Sequence, residues 1–189
     1  QQIQGDQYAA LYSEILTVEL ENDFLPFLYP NQYVNFSPDS EASKLALSMV
    51  SEDTADVDAL KQIYNYVVNN LTYDYDKAET VETGYLPDVD ETLSSKTGIC
   101  FDYAALTTAM LRSCDIPCKL QIGYTGDIKH AWIDVYIRSK GWVTGAVSFN
   151  GDSWSLMDPT FDSSADSDDT EAIQDYIGNA DNYTVQFTR

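Results

Sequence analysis

His130 is the single histidine of this 189-residue chain, so any imidazole chemistry the chain performs passes through it. It stands in His130-Ala131-Trp132-Ile133-Asp134-Val135-Tyr136-Ile137, an alternating run that reads as a strand. Upstream lies Cys100, within Gly98-Ile99-Cys100-Phe101-Asp102-Tyr103-Ala104, and downstream lies Asp158, within Met157-Asp158-Pro159-Thr160. Cysteine, histidine and aspartate are the parts needed for thiolate chemistry. The thiolate is the nucleophile, the imidazole takes and returns a proton, and the carboxylate fixes the imidazole tautomer. Each residue also has a plainer reading: an inert core thiol, a strand histidine and a turn aspartate. Position in the chain alone does not show that the three meet.

Hydrophobic periodicity indicates what would carry them. Residues 99–113 read as a helix opened after Gly98 and stopped by Asp115 and Pro117. Cys100 then occupies a first helical turn, where unpaired N–H groups and the positive end of the helix dipole favour a thiolate and can also donate to an oxyanion. Gly98 would let a substrate approach the backbone closely. Residues 54–71 form the clearest amphipathic helix, 41–50 a shorter one, and 7–22 show rough helical spacing. Leu120-Gln121-Ile122-Gly123-Tyr124, the His130 run, Trp142 to Phe149, Trp154 to Met157 and Tyr183 to Phe187 read as strands, with Asn150-Gly151 as a hairpin turn. Residues 172–177 are a candidate short helix, and the acidic stretches 73–91 and 163–171 read as loops. Helices first and an antiparallel meander afterwards give an α+β domain, residues 34–189, behind a helical extension, residues 1–33.

Composition narrows the partners. A net charge of −21 repels nucleic acid and anionic membrane surfaces, and no apolar run approaches the length of a membrane span. The acidic, Tyr-rich, Lys-poor composition fits an exported or cell-envelope protein. The chain starts at Gln1 without a secretory leader, which fits a mature or trimmed chain. Three cysteines cannot all pair internally. Cys114 and Cys118 could form a local disulfide or pack as free thiols, and Asp115 is too little to complete a metal site with them. Asp162, Asp166, Asp168 and Asp169 lack the spacing of a calcium loop. Neither metal nor cofactor is expected.

The segments Gly98 to Ala104, His130-Ala131-Trp132 and Asp158-Pro159-Thr160 resemble the three core motifs of the transglutaminase-like superfamily, in order and spacing. Tyr64-Asn65-Tyr66-Val67 through Asn70-Leu71-Thr72-Tyr73, Ile116-Pro117 and Gly123-Tyr124 extend the resemblance over about residues 34–162. It implies a papain/transglutaminase-like core, with the nucleophile helix packed on an antiparallel sheet. It implies Cys100 as nucleophile, His130 as general base and acid, and Asp158 as orienter. The implied activity is acyl transfer from peptide or amide bonds of a protein or peptide substrate through a thioester, resolved by water or by an amine, with a lean towards water. A non-catalytic binding module on the same fold is the rival reading. Trp132 and Trp154 read first as core residues, though Trp132, on the same face as His130, could flank the cleft; Tyr85 is a candidate cleft residue and oxyanion donor. Sequences of this kind often carry small or apolar residues where Cys114 and Cys118 stand, and the stretch between His130 and Asp158 is longer than in the simplest bacterial versions.

Overall fold

The structure is a computed structural model. It describes residues 2–4, 7–8, 12, 14–143, 147–149, 154–156 and 183–189. The elements are β1 (Gln2–Gln4), β2 (Gln7–Tyr8), a 3-10 turn at Leu25–Phe27, α1 (Glu41–Met49), α2 (Asp56–Asn70), β3 (Thr72–Tyr73), α3 (Tyr75–Thr80), α4 (Val89–Ser95), β4 (Thr97–Gly98), α5 (Cys100–Ser113), β5 (Cys118–Thr125), β6 (Ile128–Ile137), β7 (Gly141–Val143), β8 (Val147–Phe149), β9 (Trp154–Leu156) and β10 (Tyr183–Thr188). The domain is α+β: helices come first, then a four-stranded antiparallel sheet of order β10-β5-β6-β7. Among the described residues no helix is long and apolar enough to cross a membrane.

Helix α5 is the centre of the molecule. Asp102 to Arg112 are all buried, because α1, α2 and α4 pack around it and β5 and β6 lie against it. A helix covered all round is largely apolar, as Ala104, Ala105, Leu106, Ala109, Met110 and Leu111 are, and its buried Asp102 and Arg112 are hydrogen-bonded. Its C-terminus closes in a Schellman arrangement: Ile116 N–H donates to Leu111 O at 3.1 Å and Asp115 N–H to Arg112 O at 3.1 Å. Asp115 takes the left-handed position, φ 58°, that glycine usually fills. The chain then turns back directly into β5.

Leu120, Ile122, Ala131, Ile133, Val135 and Ile137 join the core on one sheet face. His130, Trp132, Asp134 and Tyr136 alternate onto the other. Part of that second face is covered by residues 24–27, where Phe24 lies 4.4 Å from Tyr136 and Phe27 meets Trp142 edge-on at 5.4 Å between centroids. The Lys119 ammonium sits 3.7 Å from the Trp142 ring centre.

Arg112 fastens three distant segments. Its buried guanidinium donates to the carbonyl oxygens of Cys118 at 2.7 and 3.0 Å, Tyr29 at 2.8 Å and Arg189 at 3.0 Å. Arg112→Met strips these carbonyls of their donors in a site with little water. It is expected to lower the unfolding free energy by about 3 kcal/mol, read from denaturant melts. An unchanged melt would mean that water replaces the guanidinium without cost.

Two expectations are corrected. Among the described residues, the helix sought over residues 7–22, and with it the helical character of the extension, is not formed. Gln7–Tyr8 pairs as a strand with Gln2–Gln4, and residues 14–20 have no regular structure, with Ile15 96% exposed. Their apolar side chains find no core surface to bury against, and short helices need one. The stretch 73–91 is not a plain loop: it supplies α3 and the start of α4. Asp74 caps α3 by accepting Lys77 N–H at 2.8 Å. Asp88 caps α4 by accepting from the N–H groups of Asp90 and Glu91 at 3.0 and 2.9 Å. The aspartates that resemble loop residues are helix caps. Asn150-Gly151 lies outside the described residues, as do the acidic stretch 163–171 and the helix sought at 172–177. The flanking strands β8 and β9 do pair antiparallel, Phe149 opposite Trp154.

Candidate functional site

Cys100 is the first residue of α5 and is half-buried. The turn is held by Asp102, whose carboxylate accepts Ile99 N–H at 2.8 Å. Ile99, in the N-cap position, has no side-chain oxygen to offer, so the cap comes from within the helix. Residues 72–73 run parallel to 97–98, with Thr72 N–H donating to Lys96 O and Asp74 N–H to Gly98 O, both at 2.9 Å. This clip closes the acidic segment between them into a loop seated beside Cys100.

Gly98 has a packing role that the sequence conceals. A Cβ there would lie 2.6 Å from Asp102 Cβ and 3.1 Å from its Oδ2. The absent side chain admits the Asp102 cap itself, whatever further approach by substrate it permits. Gly98→Ala forces the cap aside, and overpacking of this kind costs about 1–3 kcal/mol. Its melt should shift accordingly, with amide protons of the first α5 turn exchanging faster than those of its last turn. Uniform exchange along α5 would place the strain elsewhere.

His130 is buried, 5% exposed, and faces Gly123 across the β5–β6 ladder. Trp132 is 1% exposed and stacks on the imidazole, ring centres 6.3 Å apart and planes 15° apart. Trp132 is thus a core residue that forms a wall beside His130. Gly123 makes room for this: a Cβ there would stand 3.0 Å from Trp132 Cη2 and 1.9 Å from Thr184 O of the next strand. Chain geometry carries His130 back towards Cys100. Helix α5 rises about 21 Å, and the path back from Cys118 to Gly123 along β5 covers about 17 Å. A connection of four residues, 114–117, makes helix and strand antiparallel neighbours. The start of β6 therefore lies at the end of the molecule where α5 begins. Asp158 lies outside the described residues.

Tyr85 and Lys77 belong to this neighbourhood by an unforeseen route. The Tyr85 hydroxyl donates to Asp102 Oδ1 and accepts from Lys77 Nζ at 2.7 Å, while Lys77 Nζ also donates to Asp102 Oδ2 at 2.8 Å. The one proton of Tyr85, offered above to an oxyanion, is thus committed to a buried carboxylate. Burial first, and then the Asp102 carboxylate, push the Tyr85 pKa up to about 12. Lys77 was not singled out by sequence. The signal that could have found it is its standing as the sole basic residue between Lys61 and Lys96, inside an otherwise acidic stretch.

The disulfide considered for Cys114 and Cys118 is not formed; all three cysteines are free thiols. Cys114 ends α5, whereas Cys118 points into the core and its thiol lies 3.5 Å from Thr108 Oγ1. Burial pushes the Cys114 thiol up to about 11 and the Cys118 thiol up to about 12.

Residues 43–145, more than half of the chain, match the profile of the transglutaminase-like superfamily; the match includes Cys100 and His130 and ends before Asp158. UPF0252 protein MJ1282 of Methanocaldococcus jannaschii is 39% identical over 62 residues, which cover 30% of this chain and 18% of that protein. YebA of Bacillus subtilis (strain 168) is 25% identical over 154 residues, 69% of this chain and 21% of YebA. This chain therefore spans only a small part of these relatives. Among solved structures, a candidate cysteine protease from Cytophaga hutchinsonii superposes with a TM-score of 0.58 at 21% identity, covering 90% of this chain and 48% of that one. The periplasmic domain of TgpA from Pseudomonas aeruginosa does so with a TM-score of 0.51 at 17% identity, covering 77% and 49%. At such identities the likeness speaks for fold. A central helix opened by a cysteine, an antiparallel sheet carrying the histidine, and the matched profile agree: this chain belongs to the transglutaminase-like superfamily.

Proposed function

We propose that this chain is a thiol-dependent acyl-transfer enzyme acting on amide bonds of peptides or proteins, with Cys100 as nucleophile, His130 as general base and acid, and Asp158 as its orienter. The observation that carries the reading is the position of Cys100: a half-exposed thiol at the first residue of the central helix, in a turn braced by a buried carboxylate. His130 takes the thiol proton as Cys100 Sγ bonds to the carbonyl carbon. Free N–H groups of the first α5 turn are suited to the resulting oxyanion. When the C–N bond breaks, His130 returns that proton to the leaving amine, and a thioester remains. Water, deprotonated by His130, then releases the acid and regenerates the thiol. An amine in its place would give a new amide; we favour water, which is present in large excess over any amine. A setting outside the cytoplasm remains our expectation from composition.

The test is a panel of fluorogenic peptide amides together with a glutamine peptide and a labelled amine, run with the wild type and Cys100→Ala. Amine release by the wild type alone, with free acid as the product and no label incorporated, supports hydrolysis; label incorporation by the wild type alone supports transamidation. If neither occurs while Cys100 remains open to alkylation, the chain is a binding module on an enzymatic fold.

The loop beside Cys100 carries Asp74, Asp76, Glu79, Glu82, Asp88, Asp90 and Glu91 against the single Lys77. Cationic or neutral peptides are expected to be preferred over acidic ones. The preference should shrink as salt screens exposed charges beyond about 8 Å. Profiling Lys-rich and Glu-rich amides at low and high salt checks this, and an unscreened preference for the Glu-rich set would turn the loop away from the substrate path.

A further inference from the structure

The chain places an ion pair under its proposed nucleophile. Asp102, two residues after Cys100, is fully buried and accepts three donors: Ile99 N–H at 2.8 Å, Lys77 Nζ at 2.8 Å and the Tyr85 hydroxyl. Lys77 and Tyr85 are themselves joined at 2.7 Å, so the three side chains close a triangle. Two of its corners come from the acidic segment and the third from α5. The Tyr85 ring also meets Phe101, the residue after Cys100, edge-on at 6.3 Å between centroids.

A buried ion pair is a poor means of gaining stability, since apolar residues of similar volume often do as well or better. What a saturated polar cluster does supply is a single geometry, because each donor and acceptor has one place to go. Here that geometry is the first turn of α5. The carboxylate that caps this turn is held from its far side by Lys77 and Tyr85. Tyr85 stays protonated as a donor, its pKa pushed up to about 12. For Lys77, burial alone would lower the pKa; the hydrogen bonds to Asp102 and Tyr85 outweigh it, and the net direction is upward. Both partners therefore keep their roles across the neutral range.

We propose that Lys77 and Tyr85, acting through Asp102, are positioning residues for Cys100: they fix the helix turn that presents the thiol and neutralise the buried carboxylate behind it. This rests on Cys100 being the reactive thiol, but its test does not require a substrate. The readout is the second-order rate of Cys100 alkylation by iodoacetamide at pH 7, on the full chain, with circular dichroism as the check on folding.

Lys77→Met leaves a buried carboxylate without its cation and is expected to slow alkylation about tenfold, since an unpaired charge nearby opposes the thiolate and loosens the turn. In Lys77→Met/Asp102→Asn the stranded charge is gone, and the rate should recover to within about threefold of Asp102→Asn alone. A role in packing alone predicts the opposite, with the double variant at least as slow as Lys77→Met. Tyr85→Phe keeps the ion pair, removes one hydrogen bond and should slow alkylation about threefold; it decides the matter should Lys77→Met not fold. Where an amide is turned over, kcat should fall in Lys77→Met with KM unchanged. Folded Lys77→Met or Tyr85→Phe alkylating at the wild-type rate overturns the proposal, as does a double variant that fails to recover. If the wild type turns over no amide and Lys77→Met still slows alkylation, the enzymatic reading falls and this one stands. If amides are cleaved and the variants match the wild type in both assays, the reverse holds.

Discussion

Replacing Cys100 by alanine is expected to abolish amide turnover, a loss of at least about 10⁴-fold in kcat, because no other group can form the thioester. His130→Ala should cost about as much. As the sole histidine of the chain it has no substitute, and without it neither the thiol proton nor the leaving amine is served. Asp158→Asn keeps the shape of the carboxylate but not the charge that orients the imidazole, so a fall of roughly 10³-fold or more is expected. The three losses should not add: a double variant lacking Cys100 and His130 should be no slower than either alone, since the groups act as a unit. Steady-state kinetics on the best amide of the panel measure all of this. An Asp158→Asn enzyme with wild-type kcat would remove Asp158 from the site, and a fully active Cys100→Ala would remove the mechanism.

Alkylation of the native protein at pH 7 is expected to fall on Cys100 at least about a hundredfold faster than on Cys114 or Cys118. Burial holds the latter thiols up at about 11 and about 12. At pH 7 their thiolate fractions are then about 10⁻⁴ and 10⁻⁵, against about 3% for an ordinary cysteine thiol, and the thiolate is the form that reacts. Cys118 is also fully enclosed, so reagent reaches it only when the core opens. The sign with pH follows: the part of the disadvantage that comes from protonation lessens as pH rises and disappears above the raised values, while the enclosure of Cys118 persists as long as the protein stays folded. In denaturant the whole disadvantage vanishes at any pH, because its cause is burial. Peptide mapping after brief labelling, with and without denaturant, is the measurement. Equal labelling of all three thiols in the folded protein would show that their burial does not govern reactivity.

Local physics explains what was legible in the sequence. Val57, Leu60, Ile63, Tyr64, Val67, Val68 and Leu71 recur at helical spacing, and a helix forms over Asp56–Asn70. Pro117 and Asp115 stop α5 where expected, for a proline cannot continue a helix. The alternation around His130 survives as β6, since the period of a strand is written in its neighbours. Residues 7–22 failed by the same measure: their spacing is helical, but spacing supplies only one half of a packed face. Nothing nearby in the chain reveals whether the other half exists. The acidic stretch misled for a related reason, because an aspartate that caps a helix and one that stays in a loop look alike until the N–H groups it accepts from are in place.

At the site, the sequence alone determined the chemical types and their carriers: a cysteine opening a helix, a lone histidine on a strand, and membership of the transglutaminase-like superfamily. Tertiary structure decided what surrounds them. Asp102 is one polar residue of a motif until Lys77 and Tyr85, distant in the chain, converge on its carboxylate. Gly98 suggests an opening for substrate until the Asp102 side chain is found in the space a Cβ would take. Cys114 and Cys118 invite a disulfide by spacing alone, yet one ends a helix and the other turns into the core. In each case the deciding partner lies far along the chain or across the core. Residue type and local period specify which atoms a segment offers, while burial and long-range hydrogen bonds specify which of those atoms meet.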